Sequence, residues 1–144
     1  MRSRSFWRVV ILIVCCALIR DASAEDSHGA KKINIPKKID QDQALQLILA
    51  LEEHGIKPDE LEFDNDTGAP FLVFVWLAND PVQGILAYDA VNPWTGDIWD
   101  FVTCERREGT LALRKLQSEI HRRFTAAEMK EYPRLHRLKP ECIG

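Results

Sequence analysis

The sequence lacks the short motifs that mark common catalytic and cofactor-binding sites. It contains no G-x-S-x-G, no H-E-x-x-H, no C-x-x-C and no glycine-rich loop of the kind that binds phosphate. Its four histidines are scattered, and nothing in their spacing requires a common metal ion. We therefore predict no metal site and no cofactor. A catalytic role would have to rest on carboxylates, which are plentiful.

The first 24 residues have the three parts of a secretory signal peptide. Three arginines make a positive start, residues 9–19 form an uninterrupted apolar run, and Ala22-Ser23-Ala24 supplies the small residues of a cleavage site. The apolar run has about half of the ~20 residues that a bilayer-spanning helix needs. We predict that residues 1–24 are removed on export. The two alternatives are an uncleaved anchor and lipid attachment at Cys15 or Cys16, for which the preceding sequence is a poor signal.

Cleavage makes the chain more acidic. It removes four arginines and one aspartate, so Lys plus Arg falls from 19 to 15, Asp plus Glu falls from 22 to 21, and the formal net charge changes from −3 to −6. An acidic exported domain is a poor candidate for binding nucleic acid and suits a basic protein partner better. We predict an exported protein without stable membrane insertion, periplasmic in a Gram-negative bacterium and secreted otherwise.

Cleavage also simplifies the cysteine count, because Cys15 and Cys16 leave with the signal peptide. Cys104 and Cys142 remain, and one pair of cysteines in an oxidising compartment indicates a disulfide. The bond would tie a strand to the C-terminal tail across a loop of about 39 residues, which the loop-entropy model values at roughly 4 kcal/mol.

The mature sequence divides into a leader and one domain. Residues 25–38 are polar and interrupted by Gly29 and Pro36, which predicts a flexible leader. Residues 39–144 contain no repeats and are numerous enough for one hydrophobic core, which predicts a single domain. The order of its elements indicates an α+β fold. That fold has an N-terminal helix, an antiparallel sheet of three to four strands, and C-terminal helices packed on one face of the sheet.

Capping residues and apolar spacing predict three helices. Asp40 and Gln43 form a capping box for the first helix, which ends near Gly55. Thr110 is the N-cap of the second helix, which runs to about residue 124. The third helix is short, begins at Thr125 and ends near residues 132–133, and an irregular basic tail follows it.

Four apolar runs predict strands, at residues 61–63, 71–78, 84–91 and 97–103. Residues 71–78, FLVFVWLA, are the most apolar and predict the central strand. The D-x-D-x-G spacing of residues 64–68 is similar to the start of a calcium loop. Val75 stands where such a loop needs a bidentate Glu, so we predict a plain turn there.

The segment of residues 88–100, YDAVNPWTGDIWD, is the most distinctive part of the mature chain. Exposed aromatic side chains flanked by aspartates are typical of a recognition surface, and such a loop would suit insertion into a basic active site. For Trp94 the alternative is a lid that folds back over the core. The predicted binding residues are Asp89, Trp94, Asp97, Trp99 and Asp100.

The same segment resembles the hairpin of PepSY-type domains, which are small exported modules with helix-then-sheet units. The resemblance covers about fifteen residues and rests mainly on the Thr95-Gly96-Asp97-Ile98 step. The residues 92–94, the disulfide and the C-terminal helices depart from that pattern. The resemblance implies a local hairpin and no particular activity.

Three functions follow from these observations as hypotheses. The first is a non-catalytic binding protein of the bacterial envelope, of the inhibitor or immunity type, that acts on an envelope-targeting enzyme or toxin. The second is a small hydrolase in which two of the hairpin carboxylates Asp89, Asp97 and Asp100 form an acid/base pair. The third is an envelope structural or assembly factor whose basic second helix touches anionic lipid head groups.

Overall fold

Four antiparallel strands form the centre of the fold. The structure is a computed structural model and describes residues 33–51, 57–67, 69–77 and 84–143. The strands are β1 (Leu61–Asp64), β2 (Leu72–Leu77), β3 (Ile85–Val91) and β4 (Ile98–Asp100), adjacent in that order. The helices are α1 (Gln41–Leu49), α2 (Leu111–His121) and α3 (Tyr132–Leu135), with 3-10 turns at Pro58–Glu60 and Glu128–Lys130. The predicted α+β class is confirmed.

Side-chain caps begin α1 and α2 at the predicted residues. Asp40 accepts a hydrogen bond from the Gln43 N–H at 2.9 Å, and the Asp40 N–H donates to Gln43 Oε1 at 3.4 Å. Thr110 Oγ1 accepts from the Leu113 N–H at 3.1 Å. Both helices end earlier than predicted, α1 at Leu49 and α2 at His121.

The predicted third helix is divided in two. Thr125 and Glu128 form a reciprocal cap, with N–H donor distances of 2.8 and 3.3 Å, but only the 3-10 turn Glu128–Lys130 follows it. Pro133 lies in the first turn of α3, where a missing N–H is tolerated. The predicted helix end near Tyr132-Pro133 is therefore wrong, because a new helix begins there.

The last strand is shorter than predicted because a side chain turns the chain. Asp100 Oδ1 accepts hydrogen bonds from the N–H groups of Val102 and Thr103, both at 2.9 Å. This Asx turn replaces the ladder hydrogen bonds that would continue β4. Cys104 follows with a φ of 61°, and Arg106 then forms an isolated bridge with Trp99. The predicted strand at residues 101–103 is wrong.

The C-terminal tail covers one face of the sheet. Val73, Ala90 and Trp99 lie opposite one another on β2, β3 and β4 and form a core cluster with two phenylalanines. Leu138 and Cys142 pack against this cluster. The predicted disulfide between Cys104 and Cys142 is formed, with Cα atoms 5.8 Å apart. The tail is therefore a covalently fixed part of the core, while α1 packs against β2 and α2.

Several predictions concern residues outside the described ranges. The signal peptide of residues 1–24 and the leader up to residue 32 belong to this group and stay predictions. Within the ranges that the structure describes, no helix has both the length and the hydropathy to cross a membrane.

Candidate functional site

The turn between β3 and β4, residues 92–97, is buried instead of standing at an exposed loop tip. Asn92 is 0% exposed, Thr95 1% and Asp97 2%. Trp94 is 5% exposed, so of its two predicted roles the lid over the core is confirmed and the exposed anchor is wrong. We call residues 92–97 the buried turn below.

Asn92 organises the buried turn through its side-chain amide. Its Oδ1 accepts hydrogen bonds from the N–H groups of Trp94 at 3.0 Å and Thr95 at 3.3 Å, which is an Asx turn. Its Nδ2 donates to the Leu135 carbonyl at 2.8 Å. One buried side chain thus closes the hairpin and holds α3 against it.

The buried turn also fixes the segment that enters α1. The Trp94 indole N–H donates to the Ile35 carbonyl at 2.9 Å, and the Pro93 carbonyl accepts from the N–H groups of Lys38 and Ile39 at 2.9 and 3.2 Å. Lys38 Nζ then donates to Glu128 Oε1 at 2.7 Å. Residues 35–38, the end of the predicted leader, are therefore attached to the domain.

Gly96 lets the buried turn lie directly under the two long helices. Its φ is 74°, a conformation that favours glycine, and a Cβ there would lie 2.7 Å from Ile120 Cδ1 and 3.2 Å from Leu47 Cδ1. Gln117 of α2 donates a hydrogen bond to the Gly96 carbonyl at 3.0 Å. The backbone conformation favours glycine at this position, and an added Cβ would in addition press on the ends of two apolar side chains.

Asp97 is the centre of an ion-pair network at the edge of the buried turn. It accepts a hydrogen bond from Thr95 Oγ1 at 2.6 Å, pairs with the Arg106 guanidinium, and lies 2.8 Å from His136 Nδ1. Arg106 also contacts both ring nitrogens of His136, at 2.9 and 3.2 Å. The Tyr132 ring stacks on the His136 ring. Burial, together with the Asp97 charge, raises the pKa of the Tyr132 phenol.

The order of these contacts differs from that of a nucleophilic triad. In a triad the imidazole stands between the hydroxyl and the carboxylate, so that it can take the hydroxyl proton. Here Thr95 donates directly to Asp97, and His136 meets the same carboxylate from another side. The arrangement joins three segments of the chain instead of activating Thr95.

Asp89 and Asp100 lie directly opposite each other on β3 and β4 and share one arginine. Arg107 Nε is 3.1 Å from Asp89 Oδ1, and its Nη2 is 3.4 Å from Asp100 Oδ2. Burial disfavours the charged form of Asp100, but the N–H groups of Thr103 and Val102 and the Arg107 charge together hold its pKa below the usual range. The arginine offsets the repulsion between two neighbouring carboxylates.

The predicted binding residues therefore cluster, but mainly inside the domain. Asp89, Trp94, Asp97 and Trp99 are buried, and Asp100 is partly exposed, with 23% of its side-chain surface accessible. Their direct contact with a partner stays a prediction. Sequence reasoning missed Asn92, Arg106, Arg107 and His136, whose roles depend on partners that are distant in the sequence.

Two surface clefts among the described residues are lined in part by α2. One lies between α1 and α2, measures about 220 Å³, and has an apolar floor that includes Ile39, Leu47 and Ile120. The other measures about 370 Å³ and lies between residues 106–109 and α2. Within the described residues, no group of three or more His, Cys, Asp or Glu side chains is placed to hold a metal ion.

No family model and no curated protein matches this sequence. The resemblance to PepSY-type domains therefore stays a prediction. Among solved structures, a chain of a type VI secretion system effector-immunity complex from Pseudomonas protegens is 24% identical, with a TM-score of 0.47. The match covers 69% of this chain and 92% of that chain. A similarity at this level assigns neither the fold nor the function of the present chain.

Proposed function

We propose that the protein is an exported, non-catalytic binding protein of the inhibitor or immunity type, which acts on an envelope-targeting enzyme or toxin. The observation that carries this proposal is that all three hairpin carboxylates are paired with arginine and that two of them, Asp89 and Asp97, are buried. A general acid or base must reach the substrate or a water molecule that attacks it. Asp89 and Asp97 are 0% and 2% exposed and are held by Arg107 and Arg106. These groups contribute to the fold.

Two further features favour binding over chemistry. The buried turn attaches residues 35–38, α2 and α3 to one hairpin, and the disulfide fixes the tail on the sheet. A domain fixed in this way loses little conformational entropy when it binds a partner. The two surface clefts along α2 are lined by side chains that protein interfaces favour, among them arginines.

The test is stoichiometric inhibition by the mature chain, residues 25–144. The immobilised protein is exposed to an envelope extract from its source, and each captured enzyme or toxin is purified and assayed with increasing amounts of mature protein. We expect activity to be lost at an equimolar ratio. Captured enzymes that remain fully active in a molar excess of the mature protein would contradict the proposal.

The hydrolase alternative has a direct test of its own. The mature protein is assayed on peptidoglycan, ester and glycoside substrates beside the variants Asp89→Asn, Asp97→Asn and Asp100→Asn. Turnover in the wild type that is lost in a variant that keeps its fold would replace the binding proposal with catalysis. We expect no turnover, because the two buried carboxylates are screened from any substrate.

The assembly-factor alternative rests on the basic face of α2. Arg123, which was predicted on that face but follows the end of α2, donates hydrogen bonds to the Lys38 carbonyl and Gln43 Oε1, at 2.9 and 3.2 Å, and so has a role within the fold. The apolar side chains Leu113 and Ile120 are buried in the core. Insertion of this helix into lipid would have to withdraw them, so the binding proposal has more support.

A further inference from the structure

The strand β2 is apolar on both of its faces, although part of one face is accessible to water. Its six residues are LVFVWL. A strand that has one face in water normally alternates apolar and polar side chains. Phe74 and Trp76 point to one face of the sheet and are buried. Val75 and Leu77 point to the other face and are half-buried, so that face keeps apolar side chains in partial contact with water.

The neighbouring strand β3 extends this accessible region. Its Tyr88 lies opposite Val75, and Ile85 lies opposite Leu77 beyond a shift in register. Residues that lie opposite each other in an antiparallel sheet share a face. Tyr88 is half-buried, and Ile85 is 51% exposed. We call these four residues, Val75, Leu77, Ile85 and Tyr88, the open sheet face.

The C-terminal tail lies over the other end of the same side of the sheet. Leu138 and Cys142 pack there against the core cluster that contains Val73, Ala90 and Trp99. The strand β4 pairs only with the last three residues of β3, so it does not extend to the open sheet face. The side chains of that face therefore stay partly accessible although the tail is fixed by the disulfide.

The edge of the open sheet face at β1 carries negative charge. Glu62 lies opposite Val75 and is exposed, and its carboxylate makes no hydrogen bond or ion pair with any described residue. Asp64 lies two residues further along β1, and its carboxylate accepts from the Thr67 hydroxyl and two N–H groups, not from a cation. Residues 57–66 contain five acidic residues and one lysine, and β2 contains no charged residue. An apolar surface thus borders an acidic edge.

We propose that the open sheet face binds a surface of the protein partner that has apolar side chains at its centre and lysine or arginine at its rim. The inference rests on the proposed function and names the surface that recognises the partner. Contiguous exposed apolar side chains mark interaction sites, and tyrosine is enriched in them. The carboxylates at β1 complement a basic rim. A second copy of this chain has the same acidic edge and an anionic lipid surface has the same sign of charge, so both fit less well.

The test uses a capped tetrapeptide of two leucines between two lysines as the probe and the intact mature protein as the receptor. Amide shifts are followed by NMR at low salt, and we expect saturable changes centred on Glu62, Val75 and Tyr88. One control peptide has glutamates in place of the lysines, and the other has serines in place of the leucines. Each control removes one half of the proposed recognition and should bind roughly fivefold more weakly or less.

Two matched pairs of variants test the apolar and the acidic part of the surface separately. Ile85→Ser removes an exposed apolar side chain from the open sheet face, and Leu111→Ser removes one at the start of α2. Glu62→Lys reverses a charge at β1, and Glu108→Lys reverses the charge of an exposed carboxylate before α2. The first member of each pair should weaken probe binding by roughly fivefold, and the second member much less.

Three results would overturn the proposal. The first is equal weakening within either pair of variants, which would mean general attraction to an acidic protein. The second is the absence of shifts at millimolar probe, or equally tight binding of a control peptide. The third is a dimer in sedimentation equilibrium that Ile85→Ser dissociates and Leu111→Ser does not, since the open sheet face would then be covered by a second copy of this chain.

The inhibition assay separates this inference from the function on which it rests. If Ile85→Ser and Glu62→Lys inhibit the captured enzyme as well as the wild type does, the open-face proposal fails and the proposed function stands. If the probe binds to the open sheet face and no enzyme is inhibited, the proposed function fails and the face remains a site for basic, apolar segments. Weaker inhibition by these two variants, with full inhibition by Leu111→Ser and Glu108→Lys, supports both.

Discussion

Two turns of the sheet use the same local chemistry in opposite surroundings. After β1, Asp64 Oδ1 accepts hydrogen bonds from the N–H groups of Asp66 at 2.9 Å and Thr67 at 3.1 Å. After β3, Asn92 Oδ1 accepts from the residues at the same two spacings, at 3.0 and 3.3 Å. The first turn lies at the surface, whereas Asn92 is completely buried.

The comparison indicates that the contribution of a turn to the free energy of unfolding depends on whether the turn is buried. At the surface, water replaces any hydrogen bond that a substitution removes, and the net cost is small. In the core nothing replaces it, so a lost side chain leaves polar groups without acceptors or donors. The buried turn should therefore dominate stability although the two Asx turns look alike locally.

Substitution of the two Asx residues by alanine should give the largest contrast. Asn92→Ala removes two turn hydrogen bonds and the bond to the Leu135 carbonyl, and we expect a loss of about 4 kcal/mol in unfolding free energy. Asp64→Ala is the matched control and should cost about 1 kcal/mol or less. Urea unfolding of the oxidised protein measures both. Equal losses of unfolding free energy in the two variants would show that burial does not determine how much each turn stabilises the fold.

Alanine substitutions at two glycines with similar backbone conformation distinguish the cost of backbone strain from the cost of side-chain overlap. Gly96 has a φ of 74° and Gly84 a φ of 67°, but a Cβ at Gly84 would have no atom within 4 Å. Gly84→Ala should cost about 1 kcal/mol for the left-handed conformation. Gly96→Ala adds the overlap with Ile120 and Leu47 and should cost about 3 kcal/mol. Equal unfolding free energies for the two variants would mean that the helices move aside at little cost.

The sequence predicts a turn at both positions. It does not predict that one turn is exposed and the other is buried. The caps at Asp40 and Thr110 and the turn at Asp64 depend on partners within three residues, so their signals are local. Asn92 and Leu135 are 43 residues apart, and Asp97 and His136 are 39 apart. No periodicity or turn preference identifies which segment will cover a hairpin, so the ion-pair network was missed.

The predicted ends of β4 and of the third helix are wrong because they, too, depend on the tertiary fold. The run of residues 97–103 has strand composition, but the Asp100 side chain competes for the backbone N–H groups and ends β4. Pro133 ends a continuing helix but is tolerated when a new helix starts there. In both places one residue is compatible with two local structures, and the tertiary fold selects between them.

Trp94→Phe should have an intermediate effect that is confined to one side of the buried turn. The ring still covers the core, but the hydrogen bond from Nε1 to the Ile35 carbonyl is lost. We expect a destabilisation of about 1 kcal/mol and faster amide exchange at residues 35–39 than in the wild type. Trp99→Phe is the control on the tail side of the sheet and should leave exchange at residues 35–39 unchanged. Similar acceleration by both variants would contradict a local role for Trp94.

The smallest effect is expected from the pH response of the exposed turn. The Thr67 hydroxyl, followed by the Asp66 N–H, holds the pKa of Asp64 below its ordinary value of 3.8. A carboxyl with a lowered pKa in the folded state contributes stability above its unfolded pKa, and this contribution is lost as the pH falls through the folded pKa. Thr67→Val should move the pKa of Asp64 toward 3.8 in an NMR titration and leave stability at neutral pH slightly lower. An unchanged Asp64 pKa would show that the hydroxyl does not stabilise the carboxylate, and the resemblance between the two turns would then be limited to their backbone hydrogen bonds.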